Sequence, residues 1–268
     1  MDNSIRHKYK VILLLLAIFV SPVFSVSPVA ANSSLPFKPG ERLMFRARWL
    51  LFDAGIVSAS VSDTVPCDGS TCVRLALHVW TTNAIAHIFR MDDIFESFWD
   101  TGSRLPKALI VRVRETHTVR DKDVEFYHSI GSATVVTNGG KPEKFALNPL
   151  AQDFFGASFF VRMLKLEPKE TVLVPVFEDN KNYDAEMRVI KRERVAVMGG
   201  EVDAIMVEGK LKFEGAFQRS GSLYVWLTDD EFHVPVKMRK SFLFGTVTLD
   251  LAEASGVDLQ IIREAKKQ

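Results

Sequence analysis

Two-residue alternation of apolar and polar side chains runs through most of this chain and restricts its fold more than any other feature. Leu43, Phe45, Ala47, Trp49 and Leu51 fall on one face of an extended segment whose other face carries Arg42, Arg46 and Arg48. Val57, Ala59 and Val61 alternate with serines, and Val73, Leu75, Leu77 and Val79 repeat the scheme. The same pattern returns at Leu109–Val113, Leu223–Leu227, Val234–Met238 and Val247–Leu251. Successive side chains of a strand point to opposite sides of a sheet, so each run describes a strand with one buried face and one wet face. Gly, Pro, Asp and Asn punctuate the runs, as they do between antiparallel strands. About a dozen such runs can be marked, too many for an open sheet that stays flat. The expected fold is therefore mainly all-β, its antiparallel strands forming a barrel, a half-barrel or two curved sheets.

One segment departs from this period. From Asn148 to Leu166 apolar residues recur at helical spacing, and Asn148-Pro149 offers an N-cap followed by a first-turn proline. Ser158, Arg162 and Lys165 make a narrow polar stripe, while Leu150, Phe154, Phe155, Phe159, Val161 and Leu164 belong to the apolar remainder. A helix apolar around most of its circumference needs cover on several sides. A central core helix over 148–166, wrapped by the curved sheet, supplies it.

Arg6, Lys8 and Lys10 precede the apolar run Val11–Val20, and small residues then lead to Val29-Ala30-Ala31. That order predicts a secretory signal peptide over residues 1–31, cut after Ala31 or, less favourably, after Ser25. The apolar run is shorter than the roughly 20 residues a bilayer span requires, so no transmembrane anchor is expected after cleavage. The expected location is the periplasm, with 32–268 a single β-rich domain. Removing residues 1–31 leaves 31 Lys+Arg against 32 Asp+Glu with the signs interspersed, which argues against a nucleic-acid partner. Cys67 and Cys72 flank a four-residue turn between strand-like runs and are expected to form a disulfide in an oxidising compartment.

Motifs for chemistry are scarce. Gly139-Gly140-Lys141-Pro142 lacks the first glycine and the hydroxyl residue of a phosphate loop, and no HExxH, GxSxG or dinucleotide fingerprint occurs. No cofactor and no catalytic residue is assigned. A hairpin turning at Arg120–Asp123 would set Glu115 opposite His128 and His117 opposite Phe126. Glu115, His117 and His128 are thus weak candidates for a divalent metal or a shared proton, set against an ordinary cross-strand ion pair. Asp92, Asp93, Glu96 and Asp100 gather around aromatic residues and read as a solvated edge rather than a glycosidase pair. Asp229-Asp230 reads as a turn.

Phe37-Lys38-Pro39-Gly40-Glu41-Arg42-Leu43, Ala54-Gly55 and Phe95-Glu96-Ser97 resemble the N-terminal half of an exported bacterial family known as domain of unknown function 3108 (DUF3108). Arg162-Met163-Leu164, Leu173-Val174-Pro175-Val176, Trp226-Leu227-Thr228-Asp229-Asp230, Val234-Pro235-Val236-Lys237 and Gly245-Thr246-Val247 resemble its later half. The likeness runs from about Pro36 to Leu251. It implies an envelope protein of β-rich fold and carries over no catalytic residue; the cysteine pair lies outside it.

Three functions compete. The first is a non-enzymatic envelope protein holding a lipid or other apolar ligand in a concave sheet, favoured by the 20 phenylalanines. The second is a structural or assembly factor acting by contact with an envelope protein partner. The third and weakest is a hydrolase on envelope polymer using Asp93 and Glu96, or Glu115 and His128.

Overall fold

The computed structural model describes residues 35–210, 222–242 and 245–262; the expected signal peptide lies outside them. The first eight strands are β1 (Arg42–Trp49), β2 (Phe52–Cys67), β3 (Ser70–Thr81), β4 (Asp92–Asp100), β5 (Leu105–Glu115), β6 (Thr118–Tyr127), β7 (Ser132–Thr137) and β8 (Glu143–Ala146). They are followed by β9 (Gln152–Asp153), β10 (Thr171–Glu178), β11 (Lys181–Val197), β12 (Gly200–Lys210), β13 (Leu223–Thr228), β14 (Pro235–Phe242) and β15 (Gly245–Ser255). Helix α1 (Asn83–Ile88) lies between β3 and β4, and α2 (Phe154–Val161) follows β9.

All 15 strands form one sheet in the order β8 to β1, then β15 down to β9, antiparallel except for the β9–β10 pair. Two meanders are thus joined where the first and last strands pair, Phe45 lying opposite Leu251 and Ala47 opposite Leu249. Alternation sorts the faces as expected: Leu43, Phe45, Val57, Leu75, Leu109, Val111, Val113 and Leu249 are buried. It fails at the end of β1. A turn at Leu50 ends the strand, and Trp49 and Leu51 stand 40% and 92% exposed rather than continuing the buried row.

The two ends of the sheet overlap instead of pairing. Phe177 on β10 packs edge-on against Phe126, which projects from the inner face of β6. Asn182 on β11 takes the place of a missing ladder. Its amide donates to the Ala146 carbonyl at 2.8 Å and accepts from the Asn148 N–H at 2.7 Å. Gln152, buried, accepts from the Trp99 indole at 2.9 Å and donates to the Arg104 carbonyl at 2.8 Å. A sheet edge left open invites pairing with another chain; this rolled sheet tucks one edge inside itself.

Helix α2 lies within the roll, yet it is shorter than expected. Residues 148–153 are not helical: Asn148 forms a local turn to Leu150, which is 63% exposed, and Gln152–Asp153 pairs with Val176–Phe177. That pairing demands extended backbone where the sequence suggested a first helical turn. Asp153 is the N-cap instead, its Oδ1 accepting from Phe155 N at 2.9 Å and Gly156 N at 2.7 Å while Ser97 Oγ donates to Oδ2. After Val161 the bonds of residues 162–164 tighten to i−3. Phe155, Phe159, Val161 and Leu164 are buried, and the half-buried Phe154 packs edge-on against Phe95 at 5.2 Å.

Arg162 corrects the expected polar stripe, for it is 2% exposed and lies against Glu41, itself 3% exposed. Its guanidinium donates to both Glu41 oxygens, to the Pro36 carbonyl at 2.9 Å and to the Phe232 carbonyl at 3.0 Å. Phe37 and Phe159 lie within 5.6 Å of it. Glu41→Ala should therefore lower the unfolding free energy by about 3–5 kcal/mol in denaturant titrations, because it leaves a buried cation unpaired. Adding Arg162→Met should recover part of that loss.

Candidate functional site

The metal candidates do not meet. The β5–β6 hairpin turns at Thr116–His117, earlier than expected, so Glu115 faces Thr118 rather than His128. His117 sits on the exposed turn. His128 lies at the far end of β6, where its ring nitrogens approach the Pro106 and Pro149 carbonyls at 2.8 and 3.0 Å. Burial pushes its pKa down. Among the described residues, no group of three His, Cys, Asp or Glu is placed to hold a metal. Cys67 and Cys72 form a disulfide across the β2–β3 turn, Cα atoms 5.8 Å apart.

Strand parity also divides the acid cluster. Asp92 and Glu96 point outward to His78 at 2.7 Å and Arg74 at 2.9 Å, while Asp100 caps the turn at Gly102 and Ser103. Asp93 points inward, 2% exposed, and accepts from Arg114 N at 2.8 Å. A hydrolytic pair of Asp93 with Glu96, or of Glu115 with His128, therefore has no geometry here.

What the fold does assemble is a charged inner end. Asp93, Glu115, Arg120 and Lys122 share the inner face of β4–β6, and Glu178 from β10 approaches the two cations. Glu115 is 6% exposed, and neither carboxylate oxygen has a well-formed hydrogen bond. Burial first, then the Asp93 charge, raise its pKa to about 7, with Thr118 and Arg120 only partly offsetting them. Asp93 and Glu178 are also raised, chiefly by burial. Sequence reasoning placed Glu115 in the wrong company because the register depended on a turn with no Gly or Pro.

A groove of about 580 Å³ opens on the outer face of β11–β14. Its lining includes Arg188, Lys191, Arg194, Lys237 and Arg239 beside Glu193, Glu208, Tyr224 and Trp226. Arg188 pairs with Glu208 at 2.7 Å and Lys191 with Glu193 at 2.8 Å. Both carboxylates titrate below their usual range. Lys191 and the Trp226 indole hold Glu193 down; burial opposes the shift at Glu208, and bonds from Ser222 and Arg188 overcome it. Arg239 stacks over the Tyr224 and Trp226 rings at 5.4 Å, and its charge helps to hold the Glu193 carboxylate down. The signal in the sequence is parity, which puts Tyr224, Trp226, Lys237 and Arg239 on the face that alternation leaves to solvent.

Rolled sheet, inner helix and overlapping edges define a β-barrel-like protein. The family described as "Protein of unknown function (DUF3108)" matches residues 44–252, and the chain belongs to it. No curated protein matches. Among solved structures, the chain is similar to a β-barrel-like protein of domain of unknown function DUF1849 from Brucella abortus. The two share 11% identity with a TM-score of 0.56, over 84% of this chain and 99% of that one. A putative exported protein with a YmcC-like fold from Bacteroides fragilis is 8% identical, with a TM-score of 0.34 over 82% of this chain and 98% of its own. A DUF1089 family protein from Pseudomonas aeruginosa is 10% identical, with a TM-score of 0.32 over 81% and 95%.

Glu115 gives a pH prediction. Its folded pKa lies above its ordinary value of 4.5, so between those limits the native state holds a proton that the unfolded state has lost. Its contribution to stability is full below pH 4.5 and is lost as pH rises through about 7. Glu115→Gln should leave the thermal midpoint near pH 4.5 unchanged and raise it at pH 8, flattening the profile relative to wild type.

Proposed function

We propose that this is a non-catalytic protein of the bacterial envelope that works by surface contact, as a structural or assembly factor. The observation that carries this reading is that the inner face is already used. Phe37, Phe45, Trp99, Phe155, Phe159 and Phe177 pack there, each at most 5% exposed, around α2 and the tucked edge. The aromatic surplus that favoured an apolar guest is thus taken up by the protein's own core. Strand addition is not the mode of contact we favour, because the edge strand β9 lies against β5, Phe177 of β10 meets Phe126 of β6, and the β8 carbonyl of Ala146 is bonded to Asn182.

Recognition then falls to the outer face. The groove on β11–β14 has five basic side chains and two carboxylates in its lining, although the whole chain carries a formal charge of only +1. Such local excess suits an acidic segment of a partner protein, with Arg239 stacked over aromatic rings at its centre.

A photo-crosslinking residue placed at Arg194 or Lys191 in cells should yield a discrete protein adduct, and one at Arg74 on the opposite meander should not. Equal or absent adducts at both places would remove the contact reading. Native mass spectrometry after gentle extraction provides the other arm: a stoichiometric lipid retained through unfolding-sensitive contacts would return the interior-carrier reading to first place.

A further inference from the structure

The β1–β2 hairpin ends in four consecutive large apolar residues that the fold leaves in water. Trp49, Leu50, Leu51 and Phe52 are 40%, 55%, 92% and 65% exposed. Four adjacent exposed apolar residues are a departure from soluble-surface patterning that function has to explain. The tip does not lack its own structure. Leu50 N–H donates to the Thr246 carbonyl at 3.0 Å, and Trp49 pairs with Val247 across to β15. The base of the tip is thus held to the sheet on both sides.

Strand directions put other apolar side chains at this end of the roll. β1, β3, β5 and β14 all run toward it, because each is two antiparallel steps from the next along the sheet. Ile88, at the end of α1 above β3, is 78% exposed, and Val119, at the β5–β6 turn, is 69% exposed. Arg46 and Arg48 lie on the outer face just behind the tip, and the exposed Arg90 follows Ile88. Asp53, Asp92 and Asp250 lie among these three arginines, and Arg48 is bonded to Asp250.

We infer that this end of the roll docks on an anionic lipid bilayer, the Trp49–Phe52 tip entering the headgroup and upper acyl region while the arginines behind it meet lipid phosphates. A hairpin tip is convex. A protein partner would need a matching pocket to cover it, whereas a bilayer closes around any protruding apolar group. Trp49 faces Phe52 at the base of the turn with Leu50 and Leu51 beyond them, the order that an interface rewards, since indole favours headgroup depth and aliphatic side chains favour hydrocarbon. Arginine just behind adds attraction to anionic headgroups.

The inference concerns a different surface from the groove and can be tested separately. The purified protein is mixed with vesicles of phosphatidylcholine containing phosphatidylglycerol at about 7:3, and with vesicles of phosphatidylcholine alone, and binding is read by flotation. Wild type should float with the anionic vesicles, and its tryptophan emission should shift to the blue, a shift missing in Trp49→Tyr. Leu51→Glu and Phe52→Glu should each weaken binding by at least about tenfold with an unchanged unfolding midpoint, because these side chains touch no core. Arg46→Gln with Arg48→Gln should reduce the preference for anionic vesicles. Failure of wild type to bind either vesicle, or equal binding by wild type and Leu51→Glu, overturns the inference. Neither result would touch groove crosslinking.

Discussion

Arg162 and Glu41 hold together the parts of this molecule that the sheet alone would leave separate. The arginine follows the last residue of the inner helix, the glutamate precedes β1, and the same guanidinium reaches the chain before β1 at Pro36 and the β13–β14 loop at Phe232. His233 Nδ1 lies 2.9 Å from the Arg162 carbonyl, and Asp230 organises that loop by accepting from Phe232 N and His233 N. One charge pair thus ties both meanders to the helix between them. A buried ion pair is not a strong source of net stability, since desolvation offsets most of its attraction. What it fixes is geometry, since the guanidinium draws its acceptors from the chain before β1 and from the β13–β14 loop and lies beside Phe37 and Phe159. Three stretches on which the family resemblance rests, Phe37–Glu41, Arg162–Leu164 and Trp226–Lys237, lie around this contact, which gives their order in the chain a physical reason.

The roll follows from a conflict between sheet length and sheet edges. Fifteen strands with native twist cannot remain flat, yet the two terminal edges carry only four-residue and two-residue strands, too short for a ladder to close a barrel. Overlap resolves the conflict. Phe177 meets Phe126 by apolar contact, and the amides of Asn182 and Gln152 satisfy backbone and indole groups that strand pairing would otherwise have taken. Such a seam needs no register, so the sheet can be wound tightly enough to enclose a helix of only eight residues.

Much of this was legible in the sequence, for a definite reason. Alternation depends only on which residues face water, and it marked Leu43, Phe45, Leu109 and Leu249 correctly because one face of the sheet is buried almost everywhere. It carries no information about where a strand stops. The row Leu43 to Leu51 kept its period beyond the turn at Leu50, and so the residues that protrude furthest were assigned to the core. Turn position was hidden in the same way at Thr116–His117, where neither residue is a usual turn former, and a displaced turn there separated Glu115 from His128. The helix was recognised from its phenylalanines, but its boundaries depended on β9 pairing with β10, a contact between distant residues that periodicity cannot register.

The distribution of charge within the roll also bears on how it meets its surroundings. The inner end that holds Asp93, Glu115, Arg120, Lys122 and Glu178 is the same end that presents Trp49–Phe52, because β5, β10 and β1 all arrive there. Lys240, 3% exposed on the inner face of β14 and lowered by burial to about 8, lies near it as well. Buried groups that ionise close to neutrality respond strongly to a change in local dielectric or surface potential, since about 1.4 kcal/mol is enough to alter a proton affinity tenfold. The apolar tip and these titratable groups thus share one end of the roll, set apart across the sheet by β3 and β4. The opposite end, pinned by Arg162 and Glu41, holds its buried cation among carboxylate and carbonyl acceptors and has no comparable freedom. The two ends thus differ in how their buried charges are held, a polarity set by which strand ends the sheet places beside its charged inner face.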